Sequence, residues 1–328
     1  VQRRSNHPVD DPANQEQRPY ISKSKYLSGL QCPKLLWHQY NRKDLIPEPD
    51  AATQAIFDQG HEVGQLAKQL FPGGIEVADG TRDFAEVLEQ SKRALQSRRP
   101  LFEAGFTHNG GYARVDILNP VEDYQWDIVE VKSSTEVKDV NVFDLAFQAY
   151  VYTGAGINIR RAILMHIDRD YVRRGPLDPK RFFKQNDLTP KVSALSRQVE
   201  SQLDDMFTAI RLDQHPNIRI GLRCSDPYQC PLTEHCWAFL PENNVFNLYY
   251  SGKKSWRLFD EGILAITDIP VATNLTERQA IQRNAILSGQ PHIDRPALKG
   301  FLDRLQYPVS YLDFETFATA IPMFDGLG

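Results

Sequence analysis

The chain has 328 residues, 41% of them hydrophobic and 24% charged, with a net charge of −4; this is the profile of a soluble globular chain, not of a fibrous or disordered one. No apolar run approaches the roughly 20 residues of a membrane span and no signal-peptide core opens the chain, so a cytoplasmic protein with no membrane partner is expected. An acidic balance is no general nucleic-acid signature, so a basic groove, if present, is local.

Residues 1–20 are polar, proline-containing and aperiodic, and read as a disordered tail. The chain begins with Val and stops inside what looks like a new element, so it reads as a fragment. Order is expected from Ile21, where Ser22 or Ser24 can cap a helix carrying Tyr26, Leu27, Leu30, Leu35 and Trp37. Cys32 lies in that segment and by itself reads as a small buried hydrophobe. A second helix is expected over Ala51–Phe71, with Ile56, Val63, Leu66, Ala67 and Leu70 at helical spacing. His61 sits off that stripe between Gly60 and Gly64, a pattern that suggests close backbone approach; the ring is either a hydrogen-bonded core histidine or a metal ligand. A structural helix over Asp83–Ser97 follows.

Leu101–Thr107 reads as a strand that turns at Asn109-Gly110, a strong hairpin signal, into a strand over Tyr112–Leu118. A turn over Asn119–Asp123 leads to a strand over Asp127–Lys132. Glu130 and Lys132 share one face of the pleat and Val131 takes the other. Pairing these strands gathers Asp116, Glu130 and Lys132 beside an apolar sheet, where a divalent cation is the usual compensation for buried carboxylates. The plainer alternative is a solvated face with a Glu–Lys pair.

A helix over Asn141–Thr153 places Gln148 and Tyr152 one turn apart, and Arg161–Ile167 reads as a buried strand. Helix, three strands, helix and strand make an α/β sheet of mixed direction. Basic residues outnumber acids between Arg160 and Lys191, which fits either a phosphate-tracking surface or a solvated loop. An amphipathic helix over Val192–Leu212 precedes Cys224, Cys230 and Cys236. With Cys32 these are the four cysteines of the chain, enough for one tetrahedral thiolate site. Iron–sulfur and zinc both take such a set, and the one-plus-three spacing departs from the paired motifs usual for zinc.

His61, Asp116, Glu130-Val131-Lys132 and Gln148 followed by Tyr152, in that order, resemble the RecB-type branch of the PD-(D/E)XK nucleases. The cysteines resemble the subset with a [4Fe-4S] staple, which includes the CRISPR-associated RecB-like exonucleases and the AddB nuclease domain. The resemblance spans about Ile21 to Trp237. It implies a restriction-endonuclease-like α/β core, a mixed central sheet flanked by helices, over residues 21–240. It implies Mg²⁺ or Mn²⁺ held by His61, Asp116, Glu130 and the carbonyl of Val131, with Lys132 beside the attacking water and Gln148 and Tyr152 facing the same pocket. Cys32, Cys224, Cys230 and Cys236 would hold the cluster, zinc being the alternative. The implied activity is hydrolysis of DNA ends or single strands, in repair, defence or CRISPR spacer acquisition; the alternative is a cluster-bearing DNA-binding module that cuts little itself.

Residues 241–305 read as a linker with helices over Thr276–Ser288 and Arg295–Leu305. Val309 onward reads as a strand ending in Asp313-Phe314-Glu315, which resembles the first motif of DEDD-type exonucleases of the ribonuclease-H-like fold. That resemblance implies a second, truncated metal site at Asp313 and Glu315; the alternative is the plain end of an edge strand.

Overall fold

The structure is a computed structural model that describes residues 19–77, 83–314 and 318–328. The expected disordered tail up to residue 18 and Glu315 of the second acidic motif lie outside the described residues. Two compact units form, Val1–Ile218 with Thr319–Gly328, and Arg219–Ala318.

The first unit opens with β1 (Ile21–Ser22), α1 (Lys23–Gln31), α2 (Pro33–Asn41) and α3 (Ala51–Lys68). The single helix expected across Cys32 is two, because a residue before proline is pushed to extended backbone and Cys32 sits at φ −160°, ψ 114°. After β2 (Ile75–Glu76) and α4 (Phe84–Leu95) come β3 (Leu101–Phe102), β4 (Gly105–His108), β5 (Gly111–Arg114), β6 (Ile117–Pro120) and β7 (Trp126–Lys132). Then follow α5 (Asp139–Gly154), β8 (Ile159–Ile167), α6 (Pro179–Phe182), β9 (Phe183–Asp187) and α7 (Thr189–Ile210).

Six strands order as β2-β3-β6-β7-β8-β9, and β1-β5-β4 make a smaller sheet. β6 and β7 are antiparallel, β7 and β8 parallel with α5 as the crossover, and β8 and β9 antiparallel. This is the mixed α/β arrangement expected, a sheet of mixed strand direction flanked by helices. The pleat sorts the two faces of the large sheet. Leu118, Ile128 and Leu164 pack with α1, α5 and α7 in one core, while Ile117, Val129 and Met165 pack with Val63, Leu66 and Ala67 of α3 in another.

The long hairpin is bent. Each of its expected strands breaks in the middle, so that β3 and β6 belong to the large sheet and β4 and β5 to the small one. Glu103 takes φ +57° at the break, a conformation uncommon outside glycine. Hydrogen bonds from Glu103 N to the Asp116 carbonyl (3.3 Å) and from Val115 N to the Ala104 carbonyl (3.2 Å) run across the bend. Gly60 and Gly64 of α3 have open space where a Cβ would stand, so they mark no close approach, contrary to expectation.

The last residues belong to the first unit: Ala320 N donates to Gln59 Oε1 (2.7 Å) and Arg173 Nη1 to the carbonyls of Pro322 and Met323 (both 2.9 Å). The second unit holds α8 (Thr233–Trp237), α9 (Lys253–Asp260) and α10 (Glu277–Ser288) around Val245, Leu258, Phe259 and Ile266, and α11 (Arg295–Leu302), which is exposed along its length. Residues 309–314 form no strand. A strand needs a neighbour to take its hydrogen bonds, and Tyr311, Leu312 and Phe314 are exposed.

Candidate active site

Asp116 lies at the bend, between β5 and β6, and so escapes the alternation that would bury it or turn it to solvent. Its Oδ2 accepts from Val131 N at 2.7 Å, joining the hairpin to β7. Tyr152 secures the bend from α5: its hydroxyl receives Val115 N at 3.0 Å and donates to the Ala104 carbonyl.

Glu130 and Lys132 share the β7 face that meets α5, as the pleat requires. Glu130 is 1% exposed. Its Oε1 accepts from Lys132 Nζ (2.6 Å) and Lys23 Nζ (2.7 Å), and its Oε2 from Gln148 Nε2 (2.7 Å). Lys132 also donates to Asp144 Oδ2 (2.8 Å), and Gln148 Nε2 to Asp144 Oδ1 (2.8 Å). The nest is therefore Asp116, Glu130 and Asp144 against Lys23 and Lys132, bridged by Gln148.

Burial works against both lysines, yet the Asp144, Glu130 and Asp116 carboxylates outweigh it and hold each ammonium above its ordinary pKa. Burial likewise opposes ionised Glu130, and Lys132 and Lys23 reverse this, so its carboxyl lies below the ordinary range. Asp116 goes the other way. Burial and the Glu130 charge push its carboxyl up to about 7, a sign that positive charge is short on that side of the nest.

Sequence reasoning finds Asp116, Glu130, Lys132 and Gln148 and misses Asp144 and Lys23. Asp144 had a usable signal, being one turn before Gln148 on the same helix face. Lys23 had none nearby. It arrives because β1 pairs in parallel with β5, Ile21 opposite Gly111.

Two expectations need correction. Tyr152 does not face the nest; it is fully buried with its hydroxyl on backbone groups. His61 is exposed on α3, and the neighbouring Val63 packs against the face of the sheet that carries Val129, opposite the face of Glu130 and Lys132. Val131 is half-buried, and its amide donates to Asp116 Oδ2. Of the basic stretch, residues 168–178 are loop and the rest falls mainly on β8, α6 and β9. Part of its charge is paired: Arg160 Nη2 with Asp127 Oδ2 (2.6 Å), Arg161 with Asp187 (3.5 Å) and Arg169 with Glu136 (3.7 Å).

Among the described residues no three His, Cys, Asp or Glu side chains are disposed to hold a metal ion. In the nest the reason is visible, since lysine and glutamine nitrogens occupy both Glu130 oxygens. The chemistry of the donors nevertheless suits a hard divalent cation. Asp116 lacks compensating charge, and Gln148 Oε1 is buried without a hydrogen-bond partner. The acids fit Mg²⁺ or Mn²⁺ once an ammonium leaves Glu130. Cys32 separates α1 from α2, and Cys224 and Cys236, like Trp237, pack against the core of the second unit; none of the four cysteines is in a disulfide. Asp313 is exposed, its Oδ1 accepting from Phe314 N at 2.9 Å.

No protein-family model and no curated protein matches the chain. Among solved structures, SSO0001 aligns at 12% identity and a TM-score of 0.34, over 69% of this chain and 89% of its own. LHK-Exo, an alkaline exonuclease from Laribacter hongkongensis, aligns at 12% identity and a TM-score of 0.33, over 58% of this chain and 89% of its own. It does so equally as its complex with dAMP. At that distance the likenesses carry no argument about this chain, and the topology and the nest stand on their own.

Proposed function

We propose that the first unit is a cation-dependent nuclease that hydrolyses phosphodiester bonds of DNA. The observation that supports this best is the buried nest at the hairpin bend, where two strands and a helix bring Asp116, Glu130, Asp144 and Gln148 against Lys132. A bound Mg²⁺ or Mn²⁺ supplies neutralisation of the scissile phosphate and a lowered pKa for water. Asp116 and Glu130 are the residues to hold it. Lys132, kept charged by Asp144 and Glu130, is an electrostatic group and not a base; its ammonium stabilises charge that grows on the phosphate oxygens during attack. Gln148 fixes Glu130 and Asp144 relative to each other. The four cysteines, on count and spacing, are proposed as ligands of a [4Fe-4S] cluster.

The test is cleavage of end-labelled single-stranded and duplex DNA with Mn²⁺ or Mg²⁺, wild type against Lys132→Ala. Removing an electrostatic group of this kind is expected to lower kcat by about 10²-fold or more. A second reading has its own support: the occupied Glu130 oxygens suit a DNA-binding module without cleavage. Binding of DNA with no cutting by the wild type establishes that reading and ends the first. Iron and sulfide assays on protein purified without oxygen test the cluster, and a colourless sample loaded with zinc overturns it.

A further inference from the structure

Lys23 is 107 residues from Glu130 in sequence and 2.7 Å from its Oε1 in space. The backbone beside it is anchored. Ile21 is fully buried and its amide donates to the Gly110 carbonyl at 2.9 Å, and Ser22 caps α1 directly before Lys23. Lys132 already donates to the same Glu130 oxygen at 2.6 Å and bridges to Asp144 at 2.8 Å. Lys23 has one short bond, to Glu130, and a longer ion pair with Asp144 Oδ1 at 3.8 Å. Of the two ammoniums it is the one held by fewer bonds, and it has a second carboxylate within reach.

We propose that Lys23 is the resident counter-ion of the nest: its ammonium takes the place of a divalent cation on Glu130, competes with that cation for the oxygen, and shifts toward Asp144 when the cation binds. This rests on the cation-dependent reading above and adds a positioning residue that sets cation affinity. Two positive charges close to one buried carboxylate oppose each other strongly. Cation binding must therefore displace Lys23 or be weakened by it.

Mn²⁺ binding without DNA, followed by the electron paramagnetic resonance of free Mn²⁺, tests this in Lys23→Met and Lys23→Arg. Lys23→Met is expected to bind Mn²⁺ at least tenfold more tightly than wild type, and Lys23→Arg no more tightly than wild type. Unchanged or weaker binding by a cooperatively folding Lys23→Met protein overturns the proposal. Should that variant not fold, the wild type decides: the ¹⁵N-labelled Lys23 ammonium resonance must shift as Mg²⁺ saturates the protein, and a resonance that stays put refutes displacement. Because DNA is absent, a wild type that binds Mn²⁺ and never cuts DNA ends the nuclease reading alone. A protein that binds neither cation ends this proposal.

Discussion

Replacing Tyr152 with Phe separates a positioning role from a chemical one. The substitution keeps the ring in its place against Phe106, 5.1 Å between centroids, and removes only the hydroxyl. That oxygen accepts from Val115 N at 3.0 Å and donates to the Ala104 carbonyl. A buried backbone group left with no partner costs about 1–3 kcal/mol. Neither group is orphaned here, because Val115 N and the Ala104 carbonyl also bond each other at 3.2 Å. The loss then reduces to the net value of a hydroxyl bond, about 1 kcal/mol. Urea unfolding followed by circular dichroism is expected to show a lower midpoint with an unchanged slope. DNA cleavage is expected to fall only a few-fold, through looser placement of Asp116 one residue after Val115. Full stability combined with abolished cleavage would refute this reasoning and put the hydroxyl in the chemistry.

Asp116→Asn is expected to stabilise the metal-free protein at neutral pH by about 4 kcal/mol, the energy of a rise from the ordinary value to about 7 at about 1.4 kcal/mol per pKa unit, while weakening Mn²⁺ binding. A carboxyl raised in the folded state to about 7 makes the fold lose stability as pH climbs from near 4, the unfolded value, to about 7. The gain from Asp116→Asn should therefore be near zero at pH 4 and grow until about pH 7, as thermal melts with a chelator will show; a gain independent of pH sinks the assignment. Gly60→Ala and Gly64→Ala, facing open space in α3, should each stabilise by about 0.5–1 kcal/mol in the same melts, and destabilisation by either would mean that the helix face is needed against another surface.

The β-hairpin and the helices of the first unit are legible because their signals are local. Asn109 and Gly110 both take positive φ, 45° and 75°, as a two-residue hairpin turn requires, and period-2 alternation places Glu130 and Lys132 on one face. The bend at Glu103 and Asp116 has no such signal: β-branched and apolar residues run through it, and only the choice of sheet partners breaks the strands. β9 is hidden for a related reason. Its residues Phe183–Asp187 are mostly polar and exposed, and they become a strand because the edge of β8 offers hydrogen bonds. His61 is misplaced by reasoning from residue type, since an imidazole between glycines says nothing about which side of a sheet its helix covers.

Charge balance makes the hidden member of the nest a necessity. Asp116, Glu130 and Asp144 bring three carboxylates to a place where Glu130 and Asp144 are each 1% exposed, while the recognisable motif supplies only Lys132. Ionised groups at that burial are strongly unfavourable unless paired, so a site with one ammonium would leave carboxylates protonated or draw a cation. Lys23 reduces the deficit, and the remaining shortfall falls on Asp116, whose carboxyl is the one driven up. A lone Glu-x-Lys on a strand thus invites a search of the folded chain for the remaining countercharge, here carried by the first residue of the first helix.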